Sequence, residues 1–377
     1  MRVIFAHSPE SNSRELRQIL MGSGLECGSN DCVPWSALPV RLGGGDADLV
    51  LVGLDQRNGQ SWDAICGARA LTSAPIMAIS SRQDDRTFSR LREIGVSEIL
   101  DETNLREALD DALERSFLGG VLAGKRGKVI SVFAPTPGSG GTTVASNLAG
   151  ELATQRLGRV ALIELAKESS DMAVILDLQS DYSAGDVCRR WRTLDTTTLE
   201  SSFTEYTPGL DVLANDPEYD NEHLDRRSVR RTAILTRVCR DVSVLALEGR
   251  LSECELEAMR LSDVVALVVR PDVLAVHRAY RAINWAVEHG LAKERFQLVV
   301  NRYGQRAQLP LRQVESVLGL RAIGLIPNDP KSVNLAMHRG GLAVNGWRWK
   351  KINRVFRAVA IQLLKRIASR SSSAAAK

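Results

Sequence analysis

The sequence is poor in aromatic residues and has no closely spaced cysteines. Aromatic side chains make up 5% of its 377 residues, and its six cysteines contain no Cys-x-x-Cys pair. They stand far apart, at Cys27, Cys32, Cys66, Cys188, Cys239 and Cys254. Structural zinc sites usually contain Cys-x-x-Cys pairs, and disulfide frameworks are typical of short secreted chains dense in cysteine. We therefore expect reduced thiols and a cytoplasmic protein.

Long apolar runs and a strong net charge are also missing. The longest apolar run, Val264–Val269, is too short to cross a bilayer. The opening MRVIFAHSPE turns polar too early for a secretion signal. The formal net charge of +4 gives no general signature of nucleic-acid binding, so we expect no nucleic-acid partner.

Short apolar runs alternate with helical patterns over residues 1–117 and again, on a larger scale, over residues 128–346. This alternation predicts an α/β fold in which helices cover both faces of parallel sheets. We expect a small flavodoxin-like domain at 1–117 and a larger doubly wound, mostly parallel domain at 128–346. The glycine-rich, basic segment 118–127 lacks apolar periodicity and is predicted to be a linker.

The first domain resembles the receiver domain of response regulators in the order of its elements. The runs DLVLVGL, PIMAIS and GVSEILDE match the family's third and fourth strands and the approach to its fifth. The resemblance implies an acidic pair, a phosphoacceptor aspartate and a lysine, but those places hold His7 with Ser8, Gly53 and Glu102. Of the family's active residues, only the hydroxyl of Ser80 is retained. We expect a docking or dimerisation domain without a phosphoacceptor.

One alternative for this domain is a displaced phosphorylation site at Asp55, two residues beyond the acceptor place, with Asp84 and Asp85 as neighbours. The protein would then be a response regulator whose output domain is the second domain. The missing acidic pair argues against this alternative, because phosphoryl transfer to an aspartate needs bound magnesium.

A glycine-rich turn stands between a strand pattern and a helix pattern in VISVFAPTPGSGGTTVASNLAGELA, residues 129–153. Strand, glycine-rich loop and helix in this order predict an anion site, because backbone N–H groups and the helix N-terminus point at one place.

This segment resembles the deviant Walker A motif of the MinD/ParA superfamily of P-loop NTPases. The resemblance implies phosphate contacts from Gly138, Ser139, Gly140, Gly141, Thr142 and Thr143. It also places the family's two lysines at Thr136 and Gly141, so both lysines are absent. We therefore expect a loop without cations, to which only Lys125, Arg126 and Lys128 are close in sequence.

The resemblance extends to acidic positions that have also changed. RVALIELAKESSD matches the family's second strand, with Glu164 and Ala166 at the aspartate places, and DVSVLALEG ends in Glu248 where the Walker B aspartate is usual. Thr142 and Glu164 are the implied, weak magnesium ligands. The resemblance therefore implies ATP or ADP with Mg²⁺, weakly held, and a pseudo-ATPase without catalytic residues.

The C-terminal half carries the most specific matches. FQLVVNRYGQ resembles the family's adenine-recognition strand, in which Asn301 would read the base edge and Arg302 follows it. AIGLIPNDPKSVNLAMHRGGLAV, which includes Pro327, resembles the corresponding segment of CpaE/TadZ-like pilus assembly proteins. A receiver-like domain before such an ATPase is the architecture of that branch, and the resemblance to the superfamily covers residues 128–344.

A basic amphipathic helix is predicted over residues 347–370, which hold eight Lys or Arg and no acid. Its apolar stripe and its two tryptophans, Trp347 and Trp349, suit either packing on the second domain or contact with an anionic membrane. The remaining residues, 371–377, are predicted to be a frayed tail.

The resemblance implies a scaffold that localises the Flp (type IVc, Tad) pilus machinery. Its implied partners are the secretion ATPase, other Tad components and a second copy of the chain. Its implied location is cytoplasmic, polar and peripheral to the inner membrane. The alternative is an active MinD/ParA-type ATPase that positions cargo or the division or partition machinery.

Overall fold

The structure, a computed structural model, describes residues 2–8, 13–23, 25–43, 47–55, 59–81, 85–118, 127–167, 171–215, 224–345 and 351–375. The chain divides into two compact units. The first unit comprises Met1–Arg126, Asp195–Thr197 and Ala374–Lys377, and the second comprises Gly127–Leu194 and Thr198–Ser373. Most of the predicted linker, residues 119–126, lies outside the described residues.

The first unit contains a parallel sheet. Its strands in the described ranges are β1 (Val3–His7), β2 (Cys32–Pro34), β3 (Leu49–Gly53), β4 (Ile76–Ser80) and β5 (Val96–Asp101). Their spatial order is β2-β1-β3-β4-β5, and Val3 of β1 lies opposite Leu49 of β3. This is the strand order of flavodoxin-like folds, which confirms the fold class predicted for the first domain.

Helices surround this sheet. They are α1 (Ser13–Gly22), α2 (Leu38–Gly43), α3 (Gln60–Leu71), α4 (Asp85–Glu93) and α5 (Leu105–Leu118). Apolar side chains of the central strands, such as Ile4 and Val50, are completely buried against helix residues such as Leu38 and Ile65. Burial on both faces is why these strands read as continuous apolar runs in the sequence.

The second unit is built on a larger sheet. Its strands in the described ranges are β6 (Lys128–Phe133), β7 (Val160–Leu165), β8 (Thr204–Thr207), β9 (Leu210–Leu213), β10 (Val242–Leu247), β11 (Val264–Val269), β12 (Phe296–Tyr303) and β13 (Ala322–Pro327). Their order is β13-β12-β11-β6-β10-β7-β9-β8. Neighbouring strands are parallel except for the antiparallel pair β8 and β9. The predicted doubly wound, mostly parallel α/β fold is thus confirmed.

The helices of the second unit have clear start signals. They are α6 (Gly141–Thr154), α7 (Met172–Leu176), α8 (Ala184–Arg189), α9 (Thr196–Ser201), α10 (Arg226–Cys239), α11 (Glu253–Leu261), α12 (Val273–Glu288), α13 (Leu311–Leu318), α14 (Pro330–Met337) and α15 (Lys351–Ala375). Asp225, Ser252, Asp272 and Asp329 accept hydrogen bonds from backbone N–H groups of the helices that they precede. Such N-caps satisfy donors that the first helical turn leaves unpaired.

Helix α15 packs on the second unit through its apolar stripe. Phe356, Val359 and Leu363 are at most 1% exposed and belong to the core of this unit. A Cβ on Gly324 of β13 would lie 2.2 Å from Cγ2 of Val359, so the glycine allows the helix to approach the sheet. The sequence suited either packing on the second domain or contact with a membrane, and the structure shows packing on the second domain.

The bounds of α15 differ from the predicted ones. The helix continues to Ala375, beyond the predicted bound at residue 370. Trp347 and Trp349 lie outside the described residues. No helix among the described residues is long and apolar enough to cross a membrane.

Candidate functional site

The glycine-rich loop, residues 134–140, joins the end of β6 to the start of α6. Gly138 and Gly140 have φ angles of +73° and +88°, which glycine adopts without strain. The N–H of Ser139 donates to the carbonyl of Thr136 at 3.1 Å and closes a turn inside the loop. A Cβ on Gly140 would lie 2.4 Å from Nδ2 of Asn301, so a side chain at position 140 would collide with β12.

A cleft of about 680 Å³, here called the loop cleft, opens above this loop. It lies at the carboxyl ends of β6, β7 and β10, where open parallel sheets bind ligands. Most residues of the predicted site line it, namely Thr136, Gly138, Ser139, Gly140, Gly141, Thr142, Thr143, Glu164, Ala166, Glu248 and Arg302. Tertiary structure therefore brings together loop and strand-end residues that are up to 166 positions apart in the sequence.

Two buried hydroxyl groups in the wall of the loop cleft have no hydrogen-bond partner within the described ranges. They are Oγ1 of Thr136, a residue that is 4% exposed, and Oγ of Ser139, which is completely buried. Leaving a buried hydroxyl unpaired costs about 1–3 kcal/mol. Next to them, the first N–H groups of α6 have no intrahelical acceptor. The loop therefore presents several donors to one place, as an anion site does.

Glu164, at the end of β7, is not simply exposed to the cleft. The residue is 3% exposed, and its Oε2 accepts from the backbone N–H of Asn215 at 3.1 Å. Asn215 in turn donates from Nδ2 to the carbonyl of Ala166 at 2.6 Å. The carboxylate thus ties β7 to the segment after β9. Its role as a magnesium ligand with Thr142 stays a prediction, and no group of three His, Cys, Asp or Glu suited to a metal occurs in the described ranges.

Glu248, at the end of β10, is likewise engaged by protein groups. Its Oε2 accepts from the backbone N–H of Lys167 at 3.0 Å, and its Oε1 lies 3.3 Å from Nε of Arg250. Glu164 and Glu248 therefore both connect segments that line the loop cleft.

Behind this wall lies Glu255 of α11, which sequence reasoning missed. Its Oε1 accepts from the N–H of Gly249 at 2.6 Å, while its Oε2 has no partner among the described residues. Burial, and to a smaller extent the charge of Glu248, raises the pKa of this carboxyl to about 8 against the opposing hydrogen bonds from backbone N–H groups. Near neutral pH, Glu255 is therefore largely protonated. It supports the turn that carries Arg250, which lines the loop cleft.

The loop itself has no cation, as expected, but arginines from other parts of the second unit lie near it. Arg250 and Arg302 line the cleft. In addition, a Cβ on Gly138 would lie 4.0 Å from Nη1 of Arg270, at the end of β11. Of these arginines, Arg302 was among the predicted site residues, whereas Arg250 and Arg270 were not, because they follow other strands and only the parallel sheet brings them to this edge.

The structure does not place Lys128, the described cation that precedes the loop in sequence, beside the glycine-rich loop. Lys128 opens β6, whereas the loop follows the other end of the strand, about 16 Å away. Lys125 and Arg126 lie outside the described residues.

A second cleft of about 290 Å³, here called the side cleft, adjoins the loop at Gly140 and Thr143. Its lining includes the predicted Asn301, Arg302 and Pro327. Ile352 and Phe356 of α15 also line it, and sequence reasoning did not connect that helix with the site. The side cleft is therefore a pocket of mixed polarity that shares Arg302 with the loop cleft.

Asn301 links the glycine-rich loop to β12. Its Nδ2 donates to the carbonyl of Ser139 at 2.7 Å, and its Oδ1 accepts from the N–H of Arg302 at 2.9 Å. The predicted contact of Asn301 with a base edge stays a prediction. The contacts that the structure shows hold the loop and Arg302 in fixed relative positions.

In the first unit, the positions that match the active residues of receiver domains make contacts within the protein or are exposed. The indole Nε1 of Trp35 donates to the carbonyl of Gly53 at 2.9 Å, at the place of the phosphoacceptor. Nδ1 of His7 lies 2.6 Å from the carbonyl oxygen of Ser8, and Ser80 is 2% exposed. Glu102 is exposed, Asp84 lies outside the described residues, and so does the side chain of Asp85.

No family model and no curated protein match the chain, but solved structures do. A ParA family ATPase from Chlorobium tepidum matches with a TM-score of 0.57 and 16% identity over 63% of this chain and 99% of that chain. The cell division ATPase MinD of Pyrococcus furiosus matches with a TM-score of 0.55 and 21% identity, over 63% and 99% of the two chains. The MinC:MinD complex of Aquifex aeolicus matches with a TM-score of 0.53 and 23% identity, over 63% of this chain and 96% of that chain.

These likenesses establish a fold, that of the MinD and ParA ATPases. The matched share of the chain is close in size to the second unit. The chain is therefore an α/β protein in which a flavodoxin-like fold precedes the fold of these ATPases.

Proposed function

We propose that the second unit binds ATP or ADP with Mg²⁺ in the loop cleft. The observation that carries this proposal is the pair of buried, unpartnered hydroxyls of Thr136 and Ser139 beside the N-terminus of α6. A phosphate group would accept hydrogen bonds from both hydroxyls and from the first N–H groups of the helix. A MinD from Pyrococcus horikoshii, with a TM-score of 0.54 and 19% identity, was solved with Mg-ADP, which supports this choice of ligand.

Turnover of the bound nucleotide is proposed to be slow or absent. Position 166 is alanine, and the carboxylates of Glu164 and Glu248 already accept hydrogen bonds from backbone N–H groups. Backbone N–H groups thus hold both glutamates, which limits how either carboxylate can turn toward a water beside a γ-phosphate. Because phosphoryl transfer depends on positioned charge and an oriented water, the site suits a structural ligand better than a substrate.

We further propose that the protein is an assembly scaffold of the CpaE/TadZ type for the Flp pilus. Support comes from the flavodoxin-like first unit placed before a MinD/ParA-like second unit, and from the segment around Pro327. Its proposed partners are the secretion ATPase and other Tad components. The proposed location is cytoplasmic and polar, with peripheral contact at the inner membrane through the exposed basic face of α15.

A homodimer is proposed with the loop cleft near its interface. Exposed apolar side chains flank residues that line or adjoin the cleft: Val174 is 70% exposed, Leu251 is 42%, and Val273 and Leu274 are 70% and 54%. Apolar groups that cluster around a polar cleft favour contact with another protein surface. Multi-angle light scattering with and without ATP tests this, and Val273→Asp should keep the protein monomeric.

The test of nucleotide binding uses Ser139→Ala in the full chain. Removing the unpartnered hydroxyl should raise the unfolding free energy of the free protein by about 1 kcal/mol, because its desolvation cost disappears. The same change should weaken binding of a fluorescent ATP analogue by about 5- to 10-fold, since one donor to phosphate is lost. Ser316→Ala, at an exposed position of α13, is the control for binding and should leave the affinity for the ATP analogue unchanged.

The decisive result is that Ser139→Ala raises the unfolding free energy of the free protein and weakens its binding of the ATP analogue. Unchanged ATP affinity in Ser139→Ala, or no binding by the wild type, would contradict the proposal.

An active ATPase is the second candidate, and the arginines around the cleft favour it. Measuring steady-state phosphate release with and without Mg²⁺ distinguishes an active ATPase from a scaffold that holds its nucleotide. Turnover in the wild type that disappears in Thr142→Ala would replace the scaffold proposal by the ATPase.

A further inference from the structure

The loop cleft carries cations that do not belong to the glycine-rich loop. A phosphate chain brings three or four negative charges, and the loop itself offers only neutral donors between Thr136 and Thr143. Backbone N–H groups orient phosphates, but a polyphosphate held away from water also needs opposite charge. The question is which described side chains supply that charge.

Arg302 has the geometry for this role. It lines the loop cleft and the side cleft, so it stands where the two meet. Its side chain is exposed and has no hydrogen-bond or ion-pair partner within the described ranges. The guanidinium is therefore available to a ligand, whereas Nε of Arg250 lies 3.3 Å from Oε1 of Glu248.

The backbone at Arg302 is held in an unfavourable conformation. Its φ angle is +54°, in the left-handed region that side chains other than those of Gly, Asn and Asp rarely adopt. The hydrogen bond from its N–H to Oδ1 of Asn301 holds this conformation, and Nδ2 of Asn301 holds the carbonyl of Ser139. A strained residue that is tied to a binding loop is a frequent sign of function. Here the tie fixes the distance between the arginine and the loop.

Arg270 approaches the loop from the neighbouring strand. Its Nη1 lies near Gly138, and its Nε lies 3.1 Å from Oδ2 of Asp272. Asp272 also caps α12 by accepting from the N–H of Ala275 at 2.9 Å, so its carboxylate is held in place. The ion pair restrains the guanidinium, whose Nη1 lies 4.0 Å from the place of a Cβ on Gly138.

We propose that Arg302, assisted by Arg270, neutralises the phosphate chain of the bound nucleotide, in place of lysines within the loop. The proposal rests on nucleotide binding in the loop cleft and adds the source of its charge. Charge from the ends of β11 and β12 would stabilise a bound polyphosphate. It would not by itself orient an attacking water, so it is compatible with a ligand that is held rather than consumed.

The test compares the affinities of the full chain for ATP, ADP and adenosine by competition with a fluorescent ATP analogue. Arg302→Gln should weaken ATP binding by about 10- to 100-fold, because a charge-assisted hydrogen bond is lost. It should leave adenosine binding within about 2-fold of the wild type. Arg302→Lys should recover part of the loss, and Arg270→Gln should weaken ATP binding by about 10-fold.

Two variants control for effects on folding. Arg306→Gln removes an exposed arginine that lies four residues further along and lines neither cleft, and it should bind ATP as the wild type does. Arg302→Gly removes the guanidinium and relieves the left-handed strain, so it should melt no lower than the wild type and still lose ATP affinity.

The outcomes separate this proposal from the one on which it rests. If the wild type binds no ATP, both fail. If the wild type binds ATP, Ser139→Ala weakens that binding and Arg302→Gln does not, the nucleotide site stands and the role of Arg302 is refuted. Equal losses for ATP and adenosine in Arg302→Gln would place the arginine on the base and also refute the proposal.

Discussion

The two units share one architecture, a mostly parallel sheet covered by helices, but they differ in the hydrogen bonding of polar groups at the carboxyl ends of the strands. In both, parallel strands are buried on two faces, and loops at their carboxyl ends can form a site. In the second unit, this edge keeps donors without partners, at Thr136 and Ser139. In the first unit, the carbonyl of Gly53 at the corresponding edge already accepts from the indole of Trp35. Shared architecture therefore does not imply shared chemistry, because chemistry depends on which polar groups are left unpaired.

A second difference concerns the buried carboxyls. In the first unit, burial alone would raise the pKa of Asp31, but hydrogen bonds and charges from Arg2 and Arg41 outweigh it and hold the pKa below its usual range. In the second unit, burial dominates and raises the pKa of Glu255 to about 8. Asp31 is thus stabilised as an anion and Glu255 as a neutral acid, so the contributions of these two acids to stability should depend on pH in opposite directions.

The largest expected effect tests the glycine-rich loop of the second unit. Gly140→Ala should lower the unfolding free energy by about 3 kcal/mol and abolish ATP binding, because a methyl group there is strained at φ +88° and collides with Asn301. Gly290→Ala is the matched control. Its φ is +87°, but a Cβ would meet no atom within 4 Å, so it should cost only about 1 kcal/mol. Urea unfolding, fitted with separate transitions for the two units, measures both variants.

Equal costs for Gly140→Ala and Gly290→Ala would show that the contact between the loop and Asn301 is not rigid. The close approach of the loop to β12 would then contribute nothing to the site.

The next effect concerns the pH dependence of the second unit. Because the pKa of Glu255 is raised from 4.5 to about 8 on folding, its contribution to stability is complete below pH 4.5 and is lost as the pH rises to about 8. The unfolding free energy should fall within this window by up to about 1.4 kcal/mol per pH unit. Glu255→Gln should remove this slope, and urea midpoints of variant and parent at several pH values measure the difference.

Parallel slopes in Glu255→Gln and the parent would show that the carboxyl is ionised in the folded protein. The contrast between the two buried acids would then disappear.

The smallest effect tests Asp31 of the first unit. Asp31→Asn should lower the unfolding free energy by about 1–2 kcal/mol at neutral pH, because the ion pairs with Arg2 and Arg41 are lost. The depressed pKa means that this stability is present above the unfolded pKa of about 4 and is lost as the pH falls through the folded value. The cost of the substitution should therefore vanish in acid.

The control for this prediction is Asp63→Asn, at an exposed position of α3, which should change stability by less than about 0.5 kcal/mol. A cost of Asp31→Asn that persists at low pH would assign the effect to packing instead of charge.

Sequence patterns predicted the long strands better than the short ones. Most strands of the second unit, including β6 and β12, follow apolar runs that are visible directly in the sequence. The three-residue β2, which ends in Pro34, and the polar edge strand β8 were missed. Short or polar strands bury too little apolar surface to leave a periodic signal, and their neighbours in the sheet decide whether they form.

Sequence alone determined both fold classes and the glycine-rich loop. Apolar periodicity and the conformational freedom of glycine are local properties, and they can be read from adjacent residues. Tertiary structure alone decided that Arg270 and Arg302 reach the loop, that Asn301 binds Ser139, and that Glu255 lies buried behind the turn. Those relations join residues far apart in the chain, and charge and burial depend on distance in space, which only the packed sheet defines.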